Sequence, residues 1–207
     1  YTIDVYRGKL EPSKSLKEFA LFIAFFPQLV AGPIVRASEF LPQLREKIDK
    51  FETGVKLRQI VLNNTHFKLG ITMIAFGFLK KMFFADNIAP MVNMAFDNPI
   101  GLESFTIVLA TIGFGIQVYG DFSGYSDIAI GAALILGFKL PINFNKPFFA
   151  TSPADFWRRW HISLSNWVRD YLFFPIVHRN IGSDAQLIFG AMITFLLLGL
   201  WHGAGWN

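Results

Sequence analysis

The sequence predicts an all-α integral membrane protein that crosses the bilayer several times and contains re-entrant and interfacial helices. Apolar residues make up 53% of the 207 residues, and charged residues make up 16%, whereas a soluble domain has about 25% charged residues. Uncharged stretches of near-spanning length recur along the chain, and one crossing takes about 20 apolar residues. Because a chain of this length cannot enclose so much apolar surface in water, lipid is its expected solvent.

The charge pattern points to membrane headgroups rather than to nucleic acid. The formal net charge is +4, but the Lys and Arg residues alternate with long apolar runs, as cytoplasmic loops of membrane proteins do. We therefore expect no nucleic-acid partner. The chain contains no cysteine, and its histidines lack zinc-type spacing, so no metal site is predicted. It begins at Tyr1 without a Met and ends after an apolar run, so we expect one transmembrane domain, residues 1–207, incomplete at both ends.

The first apolar segment, Phe19 to Val35, is uncharged but interrupted by residues that break helices. Pro27, Gly32 and Pro33 would release backbone polar groups that lipid cannot satisfy. The segment is therefore predicted either to be broken or re-entrant and to line a cavity, or to be a span that ends near Pro27. The polar and basic segment that follows, Arg36 to Lys68, is predicted to be a loop with short surface helices.

Three later segments are candidates for crossings. Leu69 to Ala85 is predicted to span and to end at Asp86-Asn87 and Pro90. Ser104 to Gly120 supplies a second crossing, and Ile128 to Phe138, too short for a third, is read as a half-span or a tilted continuation. The 23 residues from Ala185 to Asn207 carry no formal charge and form the strongest predicted span.

The positive charges assign a side of the membrane to each loop. No Lys or Arg occurs from Met82 to Phe138. By the positive-inside rule, residues 36–68 and 139–160 face the cytoplasm, and the loop 86–103 faces the opposite side.

Residues 153–174 are predicted to form one amphipathic helix at the membrane interface. Ser152-Pro153-Ala154-Asp155 is typical of a helix start, with Ser as the N-cap and Pro at the first helical position. Two series then recur at spacings of three and four residues. The aromatic and apolar series is Trp157, Trp160, Leu164, Trp167 and Tyr171, and the polar series is Arg158, His161, Ser165 and Arg169. The pattern fits either a plain membrane anchor or one wall of a substrate channel.

His202 lies in the last apolar run, next to Gly199, Gly203 and Gly205. An ionisable side chain in hydrocarbon is costly and normally faces the protein interior or a water-filled cavity. A neutral histidine there can accept a proton from a hydroxyl, although a hydrogen bond between helices would also explain it. This inference holds only if His202 lies deep in the membrane. A histidine at the end of its helix, at the membrane interface, is not buried in hydrocarbon and carries no such cost. His66 and His178 are expected to be solvated or at the headgroups.

Asp121 and Asp127 flank Phe-Ser-Gly-Tyr-Ser in an apolar region. A carboxylate at such a place is a candidate functional residue. The alternative is a turn at the outer interface, since Gly120, Ser123 and Gly124 favour turns. Either aspartate could also shape the site by pairing with a Lys or Arg or by capping a helix.

Five motifs, in order along essentially the whole chain, resemble those of the membrane-bound O-acyltransferase family. They are Phe-Phe-Pro-Gln-Leu-Val-Ala-Gly-Pro-Ile at 25–34, Asp-Phe-Ser-Gly-Tyr-Ser-Asp-Ile-Ala-Ile-Gly at 121–131, Asn-Phe-Asn-Lys-Pro at 143–147, Phe-Trp-Arg-Arg-Trp-His-Ile-Ser-Leu-Ser at 156–165 and Leu-Trp-His-Gly at 200–203. The resemblance is strongest to the bacterial branch that contains the alginate O-acetylation membrane subunit.

The resemblance implies roles for particular residues. His202 would be the catalytic base, and His161 would be a second catalytic histidine. Six more residues are assigned to a channel for the substrate or acyl donor: Trp157, Arg158, Asn166, Asp121, Tyr125 and Trp201.

The resemblance also implies an activity and a location. We expect a multi-pass O-acetyltransferase of the bacterial cytoplasmic membrane that takes an acyl group from a cytoplasmic thioester such as acetyl-CoA, with no bound cofactor. The acceptor would be an exported polysaccharide, and an extracytoplasmic acetyltransferase partner would complete the transfer. The alternatives are D-alanyl transfer to teichoic acid and a transporter or export component. Residues 174–182 depart from the glycine-rich turn of the branch, which leaves the acceptor open.

Overall fold

The computed structural model describes residues 1–61, 64–177 and 184–203. Of the residues in these ranges 76% are helical, and none of them forms a strand, which confirms the all-α class. Backbone contacts divide the chain into two compact units, Tyr1–Phe144 and Asn145–Asn207.

The helices of the first unit are α1 (Thr2–Tyr6), α2 (Leu16–Ile23), α3 (Ala37–Glu52), α4 (Leu57–Val61), α5 (Asn64–Phe78), α6 (Asp86–Asp97) and α7 (Ser104–Ile135), with a 3₁₀ turn at Phe26–Gln28 and a π-helical segment at Leu79–Ala85. Those of the second unit are α8 (Pro153–Arg159), α9 (Ile162–Val168), α10 (Phe174–Val177) and α11 (Asp184–His202), with a 3₁₀ turn at Pro147–Phe149 and a π-helical segment at Arg169–Phe173.

The segment from Phe19 to Val35 is interrupted where its prolines and glycine predict. Helix α2 ends at Ile23 and is followed only by the 3₁₀ turn. A β-carbon on Gly32 would lie 1.9 Å from the carbonyl oxygen of Pro27, so the chain folds back on itself here in a way that only glycine permits. The break is confirmed, and a re-entrant path through the membrane stays a prediction.

Helix α3 corrects the prediction of short surface helices between residues 36 and 68. It is 16 residues long, and Phe40 and Leu41 are each only 1% exposed. The ring of Phe40 stacks on that of Phe138 with the centroids 4.9 Å apart. The many charges of this segment lie on one side of an amphipathic helix, and its apolar stripe packs beside the end of α7.

The span predicted at Leu69 to Ala85 is wrong at its end. Helix α5, the π-helical segment and α6 follow one another without a break from Asn64 to Asp97. Asp86 does not terminate the helix, because its carboxylate lies 2.6 Å from the ammonium group of Lys81. A charge that has a partner one turn away can stay within a helical run.

Helices α5 and α7 pack with their backbones in close approach. A β-carbon on Gly77 would lie 2.6 Å from the carbonyl oxygen of Gly124, and one on Gly70 would lie 2.6 Å from that of Gly131. On both helices the two glycines are seven residues apart, which is about two helical turns. Small residues at this spacing allow the contact, as they do between membrane helices generally.

Helix α7 is one continuous helix of 32 residues. At 1.5 Å per residue it is about 48 Å long, more than the roughly 30 Å of hydrocarbon in a bilayer. The prediction that Ile128 to Phe138 continues the preceding crossing is therefore confirmed as far as Ile135. The turn considered at Gly120, Ser123 and Gly124 is wrong, because these small residues are helical and buried.

The helix predicted for residues 153–174 begins as expected but is not continuous. The hydroxyl of Ser152 accepts a hydrogen bond from the amide of Asp155 at 3.1 Å. Helix α8 then stops at Arg159, since Trp160 is extended and His161 has φ +42°. The carbonyl of Arg159 accepts a bond from the amide of Asn145. A different donor therefore holds this carbonyl, and the helical ladder stops here.

Helices α7 and α11 are long and apolar enough to cross a membrane. Only 6% and 11% of their most apolar windows are buried within the structure. Their apolar side chains therefore face outward, unlike those of the core helices of soluble proteins. The predicted span from Ala185 to Asn207 is confirmed as a helix from Asp184 to His202, and residues 204–207 lie outside the described ranges.

Candidate active site

His161 lies at the break between α8 and α9 in an unusual backbone conformation. Its φ of +42° and ψ of +53° are left-handed, and Lys146 is the other non-glycine residue with positive φ in the described ranges. Residues with a β-carbon rarely adopt this conformation, which occurs mostly where surrounding contacts fix it. The side chain is half-buried. The break thus places an imidazole where a continuous helix would point it elsewhere.

His202 is the last residue of α11, and its side chain is exposed. Its ring meets that of Trp201 edge to face with centroids 4.8 Å apart. The sequence argument from the cost of a buried ionisable group therefore does not apply to it, because the ring is not buried within the protein. Its candidacy depends instead on what lies beside it.

The second unit brings His161 and His202 together. Helix α8 lies beside α11, since the rings of Trp157 and Phe195 are 6.0 Å apart. Burial, with a smaller contribution from the nearby charge of His202, lowers the pKa of His161 from 6.5 to about 4. At neutral pH the His161 ring is therefore uncharged. An uncharged ring can accept a proton at one nitrogen or donate a hydrogen bond from the other.

Two arginines of α8 differ in what they can do. The guanidinium of Arg159 bonds the carboxylate of Asp155 at 2.9 Å. Arg158 is 74% exposed and lies 4.0 Å from the same carboxylate. Arg158 is thus available to an anionic ligand, whereas Arg159 braces the helix. Asn166 lies within α9, half-buried, four residues beyond its start.

Asp121 and Tyr125 belong to the first unit and lie near two lysines. The Asp121 carboxylate lies 2.6 Å from the ammonium of Lys81, and that of Asp127 lies 2.6 Å from the ammonium of Lys80. An open cleft of about 390 Å³ is lined by Lys81, Asp121, Tyr125 and, from the motif at 25–34, Ala31. The proposed role of the aspartates in bonding a lysine is confirmed.

The membrane-bound O-acyltransferase family model matches residues 10–207. This chain belongs to that family. It is 41% identical over 212 residues to a probable alginate O-acetylase of Azotobacter vinelandii, covering 100% of this chain and 38% of the relative. It is 40% identical over 190 residues to a peptidoglycan O-acetyltransferase of Helicobacter pylori, covering 92% of this chain and 34% of that protein. It is also 32% identical over 208 residues to a teichoic acid D-alanyltransferase of Bacillus subtilis, covering 95% and 49%.

The chain spans less than half the length of each of these three relatives. Its family is membrane-bound, and α7 and α11 are of spanning length. The chain is therefore a membrane protein.

Sequence reasoning missed Lys80 and Lys81. Both lie in an apolar helix and each pairs with an aspartate of α7. Two adjacent lysines within a predicted span are a signal that acidic partners lie on a neighbouring helix. Also missed was Asn143, which is 1% exposed and donates to the hydroxyl of Ser126 at 3.1 Å. His66 is half-buried in α5, and its predicted solvation stays a prediction, while His178 and Gly205 lie outside the described residues.

Proposed function

We propose that this chain carries the acyl-transfer site of a membrane O-acetyltransferase. The enzyme moves an acetyl group from a cytoplasmic thioester to a hydroxyl of an exported polysaccharide. The observation that supports this most directly is the electrostatic interaction between His161 and His202, in a chain whose relatives include two named for O-acetylation. Helix α8, which ends two residues before His161, also carries an exposed arginine. The site lies in the multi-pass domain of a protein of the bacterial cytoplasmic membrane.

In the proposed reaction His202 acts as the general base. Its imidazole takes the proton of the acceptor hydroxyl as the oxygen attacks the thioester carbonyl carbon. The tetrahedral intermediate carries its negative charge on the former carbonyl oxygen. It collapses with cleavage of the carbon–sulfur bond, and the departing sulfur takes the proton from His202. The products are an ester and a free thiol, and the thiol carries the proton that His202 took from the hydroxyl.

His161 supplies a hydrogen-bond donor in this scheme. Because its ring is uncharged at neutral pH, one ring nitrogen carries a hydrogen that can be aimed at the developing oxyanion. The fixed left-handed backbone of His161 holds that donor in place before the substrate arrives. A prepositioned donor stabilises the transition state without reorganisation.

The acyl donor in the proposed reaction is an anionic thioester such as acetyl-CoA. Arg158 is exposed on α8, and residues 139–160 are predicted to face the cytoplasm. An exposed cation there increases the local concentration of an anionic donor. The further partners are a polysaccharide acceptor and an extracytoplasmic acetyltransferase that completes the modification. The donor and the acceptor are both substrates, so the proposal includes no bound cofactor.

The experiment that tests the function separates chemistry from transport. The full-length protein in detergent, together with the proposed extracytoplasmic partner, is given acetyl-CoA labelled in its acetyl group and a soluble glycan acceptor. An acyltransferase forms labelled ester in detergent, whereas a transporter or export component moves label only across a sealed vesicle. Labelled ester in detergent supports the proposal, and transport in vesicles with no ester in detergent contradicts it.

D-alanyl transfer to teichoic acid is the second candidate. The B. subtilis relative named for that activity matches 95% of this chain. The two activities differ in donor, so the same detergent assay with a D-alanyl thioester in place of acetyl-CoA distinguishes them. Transfer from the D-alanyl donor alone would favour the second candidate.

A further inference from the structure

We infer that Ser165 is the positioning residue for His161, an inference that rests on the proposed role of that histidine. Its hydroxyl holds the backbone break from which the imidazole projects. Ser165 lies on α9, one turn after the break, and is half-buried.

The hydrogen bonds around the break define this role. The hydroxyl of Ser165 donates to the carbonyl oxygen of Trp160 at 3.2 Å. The amide of Ser165 donates to the carbonyl oxygen of His161 at 2.9 Å. The bond from the Ser165 amide is the first backbone hydrogen bond of α9, and any residue with a backbone amide would make it. The first bond needs the side chain, and it reaches across the break to a carbonyl that has left the helical ladder.

Three consecutive carbonyls are thereby fixed at the break. That of Arg159 accepts from the amide of Asn145 at 2.9 Å, that of Trp160 from the Ser165 hydroxyl, and that of His161 from the Ser165 amide. Of these three donors, two are backbone amides and the Ser165 hydroxyl is a side-chain group. With both neighbouring peptide groups held, the left-handed conformation of His161 is determined by its surroundings rather than by its own preference.

The N-cap position makes the hydroxyl more important. His161 is the N-cap residue of α9, and its side chain makes no capping hydrogen bond. At an ordinary helix start the side chain of the N-cap residue fixes the entry of the chain. Here the imidazole does not cap the helix, and the Ser165 hydroxyl fixes the entry from within the helix.

The test compares S165A, S165T and S152A in the full-length protein. S165A removes the hydroxyl and keeps the amide, so kcat for ester formation is expected to fall about 10- to 100-fold, because small misplacements of a catalytic group reduce rate on this scale. The KM for acetyl-CoA is expected to stay within about twofold, because binding of the donor is untouched. S165T keeps the hydroxyl and is expected to restore most of kcat.

S152A is the matched control. It also removes a serine hydroxyl bonded to the backbone of the second unit, at 3.1 Å from the amide of Asp155, but at the start of α8 rather than at His161. It is expected to lower the thermal midpoint without the loss in kcat. If S165A fails to accumulate in membranes, S165C keeps the size with a weaker donor and is expected to show a kcat between those of S165A and wild type.

The outcomes separate this inference from the proposed function. An S165A enzyme with wild-type kcat overturns the positioning role, and so does a loss that S165T does not restore. The same follows if S152A loses as much kcat as S165A. If H202A is also measured and keeps full activity, the role of His202 as general base fails, whereas a wild-type protein that forms no ester in detergent overturns the proposed function itself. An inactive H202A together with a fully active S165A removes only the role of Ser165.

Discussion

At the residue scale, His161 has a left-handed backbone and a half-buried ring, and the residues around it in the sequence predict neither. Its position between Trp160 and Ile162 continues a regular spacing of three and four residues, and this periodicity predicts an unbroken helix. The break arises from donors outside that pattern, namely the amide of Asn145 and the hydroxyl of Ser165. The sequence therefore selected His161 as a candidate by its motif and missed the backbone conformation that presents its ring.

Replacing His161 by glycine separates its backbone from its ring. Glycine adopts positive φ without steric strain, so H161G is expected to accumulate in membranes at the wild-type level. Its activity is expected to fall by about 100-fold or more, as removal of an oxyanion donor does. H161A lacks the ring too but keeps a β-carbon in the left-handed conformation, so its thermal midpoint should be lower than that of H161G. Wild-type ester formation by H161G would contradict the role of the ring.

The lowered pKa of His161 has a consequence for stability. The pKa is about 4 in the folded protein and 6.5 for an unperturbed histidine. Between pH 6.5 and about pH 4, His161 is protonated in the unfolded chain but not in the folded protein. The free energy of unfolding is therefore expected to decrease as the pH falls through this window. The thermal midpoint in detergent at pH 7.5 and pH 5 measures this, and the decrease should be smaller in H161G than in wild type. Equal decreases would show that His161 titrates normally.

At the element scale, the helices that the sequence divided wrongly are those in which charges find partners. The charge of Asp86 predicted the end of a span, but in the structure its carboxylate lies 2.6 Å from the ammonium group of Lys81 and the helix continues. The glycines and serines around Asp121 favoured a turn, but in the structure they are helical and buried within α7. Pairing between distant segments is not visible in one sequence, so element boundaries near charges are predicted less well than the apolar centres.

The close contact between α5 and α7 predicts opposite effects for two glycine substitutions. G77A would place a β-carbon 2.6 Å from the carbonyl oxygen of Gly124, whereas a β-carbon at Gly115 meets nothing within 4 Å. G77A is expected to destabilise by about 1–3 kcal/mol through overpacking. G115A is expected to be neutral or stabilising by up to about 1 kcal/mol, because alanine has the higher helix propensity. Unfolding in detergent measures both, and equal stabilities would argue against the glycine contact.

The Lys80–Asp127 pair predicts coupling between the π-helical segment and α7. The two charged groups are 2.6 Å apart and each side chain is less than one-third exposed. K80M and D127N each leave one unpaired charge, so both are expected to lower the thermal midpoint. The double variant K80M/D127N leaves no unpaired charge and is expected to be more stable than the sum of the single losses predicts. Strictly additive losses would show that the pair does not contribute.

At the scale of the whole molecule, composition and hydropathy predicted the class of protein, and the motifs predicted the family. Helices α7 and α11 were found because an uncharged run of spanning length needs no knowledge of its neighbours. Helix α3 was described wrongly because its apolar stripe is hidden among charged residues. His202 was selected as a candidate by its motif, and its catalytic role stays a prediction. Its position at the end of α11 depends on where the helix stops, which the uncharged run did not reveal.

The central claim is that His202 removes the proton from the acceptor hydroxyl. The most direct measurement is the rate of labelled ester formation from acetyl-CoA by the full-length H202A variant in detergent, with the amount of inserted protein matched to wild type. We predict a loss of about 100-fold or more, as expected for removal of a general base, at an unchanged level of insertion. An H202A protein that forms ester at the wild-type rate would contradict the account.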